Sequence, residues 1–416
     1  MKVSAPPVRE SKSSAPVRWS IAAVLVLLAA IIPFLENRAI PIVFAGEIAS
    51  PGVLNMLALM LVFGAFAITY DLLFGYTGLL SFGHALYFAI GAYGTAVIMS
   101  TFRFGLGGAV AIVLVAGIIA PIVIGLVCLR VKGIAFAMVT LAFAQAGAIF
   151  IGRDPFNVTG GDLGISVPFE LLPEPLVGVA NTRNLYWLTL ALVVVVYLIA
   201  RIATTSRAGR VWQAIRENEQ RVEVLGLNPT RYKLVVFVLA SFLATVCGVV
   251  YALVVGAAHT GVMHATFTMT LLVMVVLGGA GRLWGALIGG VLFTYLEHRL
   301  TEVSSTPAVG ELPVVINVLL REPMFLLGTL FVLVVLFFPG GIASAIQGRG
   351  FRVPKLPKRR PGPETPGGEA ASPDEPTEPG GRHGNASVST PGSRGDGSDP
   401  AATGSEREAA STRGES

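Results

Sequence analysis

Between two apolar stretches runs Asp71-Leu72-Leu73-Phe74-Gly75-Tyr76-Thr77-Gly78-Leu79-Leu80-Ser81-Phe82-Gly83-His84. A carboxylate, an imidazole and the hydroxyls of Thr77 and Ser81 alternate there with Gly75, Gly78 and Gly83. Such groups can pass a polar solute along by transient hydrogen bonds, and the glycines permit the dihedrals of a broken helix. Irregular backbone survives at membrane depth only where protein or a water-filled cavity satisfies it. The segment is therefore a candidate piece of a transport route. The alternative is an interfacial turn, with Asp71 capping or pairing and His84 anchoring a helix start. Thr140 and Gln145, on a helix rich in small residues, could line the same route or hydrogen-bond a neighbouring helix, the commoner use in membrane bundles.

Bond-making chemistry finds no support in the remaining residues. No P-loop pattern, H-E-x-x-H or G-x-S-x-G occurs. His84, His259, His264, His298 and His383 lack metal-ligand spacing. Cys128 and Cys247 sit in apolar runs and read as small hydrophobic fillers. Neither a catalytic residue nor a metal site is expected, and a membrane enzyme is disfavoured by the missing constellation.

The elements that must position these groups follow from composition. The chain has 416 residues, 53% hydrophobic and 13% charged, with net charge +5 and mean hydropathy +0.71. A soluble domain carries about 25% charged residues. Residues 21–346 hold only 16 basic and 14 acidic side chains, roughly 9%, as a membrane domain would. The charge forms no single basic block, which argues against a nucleic-acid partner.

About 20 apolar residues are needed to cross the hydrocarbon core. Ten segments qualify, near 19–35, 53–74, 83–101, 107–129, 133–152, 185–203, 234–257, 266–280, 284–298 and 323–339. The eighth and ninth are short and could form one broken hairpin. The first run has no cleavage site with a soluble domain behind it and reads as a retained helix. Basic residues gather at the N-terminus, at Arg130 and Lys132, across 201–233 and after residue 348. Ten spans place all of these in the cytoplasm, with Arg103 as a lone exception. The expected fold is thus an all-α, polytopic integral membrane protein with both termini cytoplasmic. Residues 1–18 and the Pro/Gly/Ser-rich stretch 346–416 bury too little apolar surface to fold and are expected to be disordered, flanking a transmembrane domain over 19–345.

Ten of the thirty charges in 21–346 lie in 201–233. Ser206 can cap a helix whose Ala208, Val211, Trp212 and Ile215 share one face. A second short helix stops at Gly226, in a C′ position, before Asn228-Pro229. Glu217 and Arg221 have the spacing of a helical ion pair. The result is two amphipathic helices outside the bilayer, lying on its surface or forming a knob for a partner's groove. A second glycine-rich break, Leu277-Gly278-Gly279-Ala280-Gly281-Arg282, is similar in kind to the first and hints at two related halves.

Taken in order, these segments resemble the LivM-type permease subunits of bacterial branched-chain amino acid ABC transporters over about residues 55–345. The specific blocks are Gly75-Tyr76-Thr77-Gly78-Leu79-Leu80-Ser81-Phe82-Gly83-His84-Ala85, Lys132-Gly133-Ile134-Ala135-Phe136-Ala137, Thr159-Gly160-Gly161, Ala214-Ile215-Arg216-Glu217-Asn218-Glu219, Thr230-Arg231-Tyr232-Lys233, Leu277-Gly278-Gly279 with Leu283-Trp284-Gly285, and Phe338-Pro339-Gly340-Gly341. The resemblance implies a multi-pass subunit of the bacterial plasma membrane that imports leucine, isoleucine or valine. A second homologous permease would share the pathway, and two ATPase subunits would use ATP and Mg. An extracytoplasmic binding protein would set selectivity. No cofactor is expected on this chain. The loop 204–233 then becomes the ATPase-coupling segment, with Arg210, Ala214, Arg216, Glu217, Asn218, Glu219 and Gly226 as its candidate contacts. Gln220, Arg221 and Val222 stand where the general docking pattern of ABC permeases has Glu-Ala-Ala, a departure that touches individual contacts. Relatives of this type that carry urea or short-chain amides supply the alternative substrate. A stand-alone secondary transporter, with Asp71 and His84 as a proton relay, is the alternative mechanism; such a carrier would have no use for a docking knob.

Overall fold

The computed structural model describes residues 24, 26–34, 50–177, 181–304, 323–337 and 340–346. All of them fall in the first of two units, Met1–Leu356; the second, Pro357–Ser416, lies outside the described residues. So do the expected disordered ends, 1–18 and nearly all of 346–416.

The described chain is almost wholly helical. Helix α1 is Pro51–Asp71. Ser50 caps it by accepting from the Val53 N–H at 3.4 Å, and proline occupies the first turn, where no intrahelical donor is lost. A π-helical turn, Leu72–Tyr76, widens its end. Then come α2 (His84–Ser100), α3 (Leu106–Cys128), α4 (Ile134–Arg153) and α5 (Thr182–Thr205). Two short helices follow, α6 (Arg207–Glu217) and α7 (Glu219–Val224). The chain continues through α8 (Pro229–Val255), α9 (Ala265–Gly278), α10 (Leu283–Ser304), α11 (Pro323–Phe337) and α12 (Gly341–Ile346). Two-residue strands, β1 (Ile165–Ser166) and β2 (Ala257–Ala258), pair antiparallel with Ile165 opposite Ala258.

Among the described residues six helical stretches are long and apolar enough to cross a membrane, and α9 with α10 makes a seventh only as a pair bent by 120°. Helix α2, with 17 residues, is shorter than a full span. Six of the ten expected spans thus appear as full-length apolar helices among the described residues. The first, 19–35, lies partly outside the described residues. Each of the others coincides with a helix, of which α2 and α9, at 17 and 14 residues, fall short of a full span. The expected hairpin of the eighth and ninth segments is what α9 and α10 form.

Helix α1 sits at the centre, against α5, α8, α9 and α10; α8 also packs on α2 and α3. Lipid tails are as apolar as leucine, so close packing rather than dehydration holds these helices together. The α2–α8 crossing shows how. A methyl at Gly91 would strike the Thr245 carbonyl and one at Gly248 the Phe88 carbonyl, so the two backbones touch. Thr245 Oγ1 then donates to the Tyr87 carbonyl at 3.0 Å. Phe66, Phe88 and Phe267 stack beside this crossing at centroid distances of 4.5–5.7 Å. Helix α3 instead turns Val115, Ile119, Val123 and Leu126 outward, a surface suited to hydrocarbon.

Candidate functional site

The break after α1 is closed by backbone and side chains from three other parts of the chain. Asp71 is fully buried, and its Oδ1 accepts from the Gly281 N–H at 2.7 Å. Gly281 lies in the second glycine break, between α9 and α10, with φ +82°. A methyl at Gly75 would run into the Asp71 carboxylate and the Gly281 nitrogen, so glycine is what lets the two breaks meet. From helix α6, Arg216 Nη1 donates to the Gly75 carbonyl. The Arg216 stem lies over Gly78, which takes φ +72°. Both breaks and α6 thus share one hydrogen-bonded junction.

The other polar groups of this stretch divide between junction and core. Thr77 Oγ1 donates to the Leu73 carbonyl at 2.5 Å, which also accepts from the Leu79 N–H at 3.0 Å. Ser81 is buried. Phe82 N–H donates to Thr140 Oγ1 at 3.2 Å, and Thr140 Oγ1 donates to the Ala137 carbonyl at 2.8 Å. A methyl on Gly83 would press into the Thr140 carbonyl, so α4 seals this side of the break. His84 opens α2 with its ring stacked on Phe66 at 5.5 Å and edge-on to Tyr70 at 5.4 Å. Its Nε2 is 2.9 Å from Thr69 Oγ1, whose own proton goes to the Phe66 carbonyl at 2.7 Å. Gln145 is exposed on the outward side of α4. Asp71 and His84 are held by different partners, and no hydrogen bond joins them among the described residues.

Asp71 Oδ2, Ser81 Oγ and Arg282 Nη1 are buried without a hydrogen-bond partner among the described residues. Most buried polar atoms are paired, so each exception needs a reason. Asp71 and Arg282, at the two glycine breaks, are thus two buried groups with hydrogen-bonding capacity to spare.

Outside the spans, α6 and α7 are built as a compact pair. Ser206 caps α6 through the Gly209 N–H at 3.1 Å, and Asn218 caps α7 through the Arg221 N–H at 2.9 Å. Trp212 is buried and its Nε1 donates to the Tyr232 carbonyl at 3.0 Å; Ile215 and Val222 are buried with it. Gly226, at φ +82°, ends α7: its N–H reaches the Glu223 carbonyl, and the Leu227 N–H the Val222 carbonyl. Asn218 is extended between the two helices, so Glu217 and Arg221 stand on different helices and do not form the expected intrahelical pair. Glu219 instead bonds Lys233 at 2.7 Å and Lys132 at 3.2 Å, and Lys132 also reaches Glu223 at 3.3 Å. Burial raises the Glu219 carboxyl, but the two lysines outweigh it and hold it below the ordinary glutamate value. Arg210, Ala214, Glu217, Asn218 and Gly226 are exposed, as are Val224 and Leu225 at 87% and 73%. These two large apolar side chains have no cover within the described chain.

Between α6, the end of α5 and the α1 break lies a cavity of about 490 Å³ whose lining includes Arg201, Gln213, Arg216 and Glu217. Sequence reasoning missed two of the junction's members. Gly281 was one glycine among several, and Arg216 counted only as a surface contact. A usable signal was present: Asp71 is a lone carboxylate in a span, and a second glycine-rich break offers bare backbone N–H groups to satisfy it.

Buried helices broken at glycines, with an amphipathic pair tied to the breaks from one side, define a multi-pass membrane transport protein. The family model described as branched-chain amino acid transport system / permease component matches residues 52–337, and the chain belongs to this family. It is similar to the high-affinity branched-chain amino acid transport system permease protein LivM of Salmonella typhimurium, 25% identical over 70% of each chain. The Escherichia coli LivM is 25% identical over 76% of this chain and 73% of its own. The LivH permease of Salmonella typhimurium is 26% identical over 63% of this chain and 90% of its own. No solved structure matches.

Proposed function

We propose that this permease forms half of the membrane pathway of an ATP-driven importer of leucine, isoleucine and valine in the bacterial plasma membrane. The observation that carries this reading is the Arg216–Gly75 contact, which ties the exposed helix pair α6–α7 to the broken helices. A self-sufficient channel or carrier needs no such link. The chain holds no P-loop, so nucleotide is hydrolysed by two partner ATPases that use ATP and Mg and dock on α6 and α7. Arg210, Ala214, Arg216, Glu217, Asn218, Glu219 and the Gly226 turn form or support that contact. The chain itself is non-catalytic and carries no cofactor.

Similarity to both LivM and LivH supports a second, homologous permease as its counterpart. An extracytoplasmic binding protein supplies the solute. Asp71, Thr77, Ser81, His84, Thr140 and Gln145 lie on or beside the route, with Gly75, Gly78, Gly83, Gly278 and Gly279 shaping it. The lysines and arginines around α6 and α7 mark the cytoplasmic side, and ten crossings with both ends inside fit that sidedness.

The test is uptake in a strain deleted for its own branched-chain importers and supplied with this chain and its partner genes. Labelled leucine should enter, and unlabelled leucine or valine should compete while urea does not. Uptake of urea unaffected by leucine would overturn the substrate assignment.

A further inference from the structure

The cavity beside the junction is chemically unlike the rest of the described protein. Its side chains are polar: the guanidinium groups of Arg201 and Arg216, the hydroxyls of Tyr76 and Thr205, the Gln213 amide and the Glu217 carboxylate. Arg201, Gln213 and Glu217 make no hydrogen bond or ion pair with any other side chain among the described residues. Two cations and one anion leave a single positive charge, which suits an anion or a zwitterion. A guanidinium presents a planar fork that matches a carboxylate, and a carboxylate on the same wall accepts from an ammonium. Small-ligand pockets run from about 300 to 1,000 Å³, so this space accepts an amino acid with its hydration.

Position gives the cavity a role. One wall is α6; the other is the Gly75–Tyr76 turn and Gly281. A ligand here would span the joint where the exposed helices meet the broken ones. It would also be reached from the cytoplasmic side, where imported solute is released.

We propose that this cavity is a cytoplasm-facing site for a free α-amino acid, its carboxylate on Arg201 and Arg216 and its ammonium on Glu217, through which accumulated product slows the transporter. The identity of the ligand rests on the proposed function. Binding fastens α6 to the end of α5, beside the Gly75 turn that Arg216 already holds, and opposes the movement that opens the break.

The experiment uses the whole transporter, with its partner permease and ATPases in liposomes holding ATP and graded concentrations of leucine, and its binding protein outside. Initial uptake of external labelled leucine and ATP hydrolysis are read together. Enclosed leucine should lower both severalfold. Loss of one charge-assisted contact in Arg201→Gln should raise the half-inhibitory concentration about tenfold. Uptake into leucine-free vesicles should match the unmodified transporter. Arg201→Lys, which keeps charge but loses the fork, should fall between, and guards against a folding defect in the first variant. Enclosed isovalerate or inorganic phosphate, which lack the ammonium, should inhibit far less.

Equal inhibition of the unmodified and Arg201→Gln transporters, or none, overturns the proposal. Phosphate as potent as leucine overturns the zwitterion assignment. Should external leucine not be carried at all, ATP hydrolysis against enclosed leucine still reports on this site, so the two readings fail separately.

Discussion

At the scale of single residues, the junction depends on atoms that are absent as much as on those present. Gly75 has no room for a methyl group, because the Asp71 carboxylate and the Gly281 nitrogen occupy the place it would take. Gly75→Ala should therefore destabilise the protein by about 1–3 kcal/mol, the usual cost of forcing extra volume into a packed site. Gly107, inside α3 with nothing nearby, is the control. Gly107→Ala should be neutral or stabilising by about 0.5–1 kcal/mol, since alanine loses less backbone entropy in a helix. Thermal unfolding of the purified variants in detergent reads both. Equal melting temperatures for the two variants would mean that the breaks do not touch as described. The polar side chains of this region were legible as types in the sequence. Their partners were not, because the Asp71–Gly281 bond joins residues 210 positions apart and one of its members is bare backbone.

At the scale of elements, α6 and α7 are positioned by charge as well as by packing. Glu219 bridges Lys132, before α4, and Lys233, in α8. Its carboxyl lies below the ordinary value of 4.5 in the folded protein. Its contribution is therefore present above that value and is lost as pH falls through the lower folded one. Acidification below about pH 4.5 should loosen α7 first, by the general linkage between protonation and folding. Hydrogen exchange over 207–227 should show this in the unmodified chain, whereas Glu219→Gln should exchange faster at neutral pH and lose the acid-dependent step. Unchanged exchange in that variant would assign the anchoring to Trp212 alone.

The Gly226 turn sets where α7 ends. Glu217→Lys combined with Gly226→Pro should abolish uptake while the protein still inserts in the membrane, as followed by membrane fractionation. Normal uptake by that double variant would remove the docking role. Both helices were legible from the sequence, since Ser206, Gly226 and the Trp212 face carry their own capping and periodicity. The break at Asn218 was less so: one extended residue cancels the helical register that Glu217 and Arg221 would need. Nor does hydropathy alone divide α9 from α10, whose apolar residues continue on both sides of a four-residue glycine-rich bend.

At the scale of the whole molecule, the chain has features of a moving part rather than of an engine. Purified alone in liposomes it should hydrolyse no ATP and take up no leucine on an imposed proton gradient. Robust gradient-driven uptake by the lone chain would favour a self-sufficient carrier instead. His84 argues against a proton relay, because its ring is packed among aromatic side chains and bonded to Thr69, apart from Asp71.

One helix connects the two faces of this part. Helix α8 begins at the Asn228 cap beside α7 and runs unbroken for 27 residues to Gly256, about 40 Å at 1.5 Å per residue. At its far end the Gly256 carbonyl accepts from the Val167 N–H, and Ala257–Ala258 pairs with Ile165–Ser166. An α-helix is stiff along its axis, and this one is clasped by α2 through backbone contact. It is built as a connecting rod: a push delivered at Lys233 would arrive at the strand pair as a displacement of the same helix, which no proline or irregular turn interrupts between.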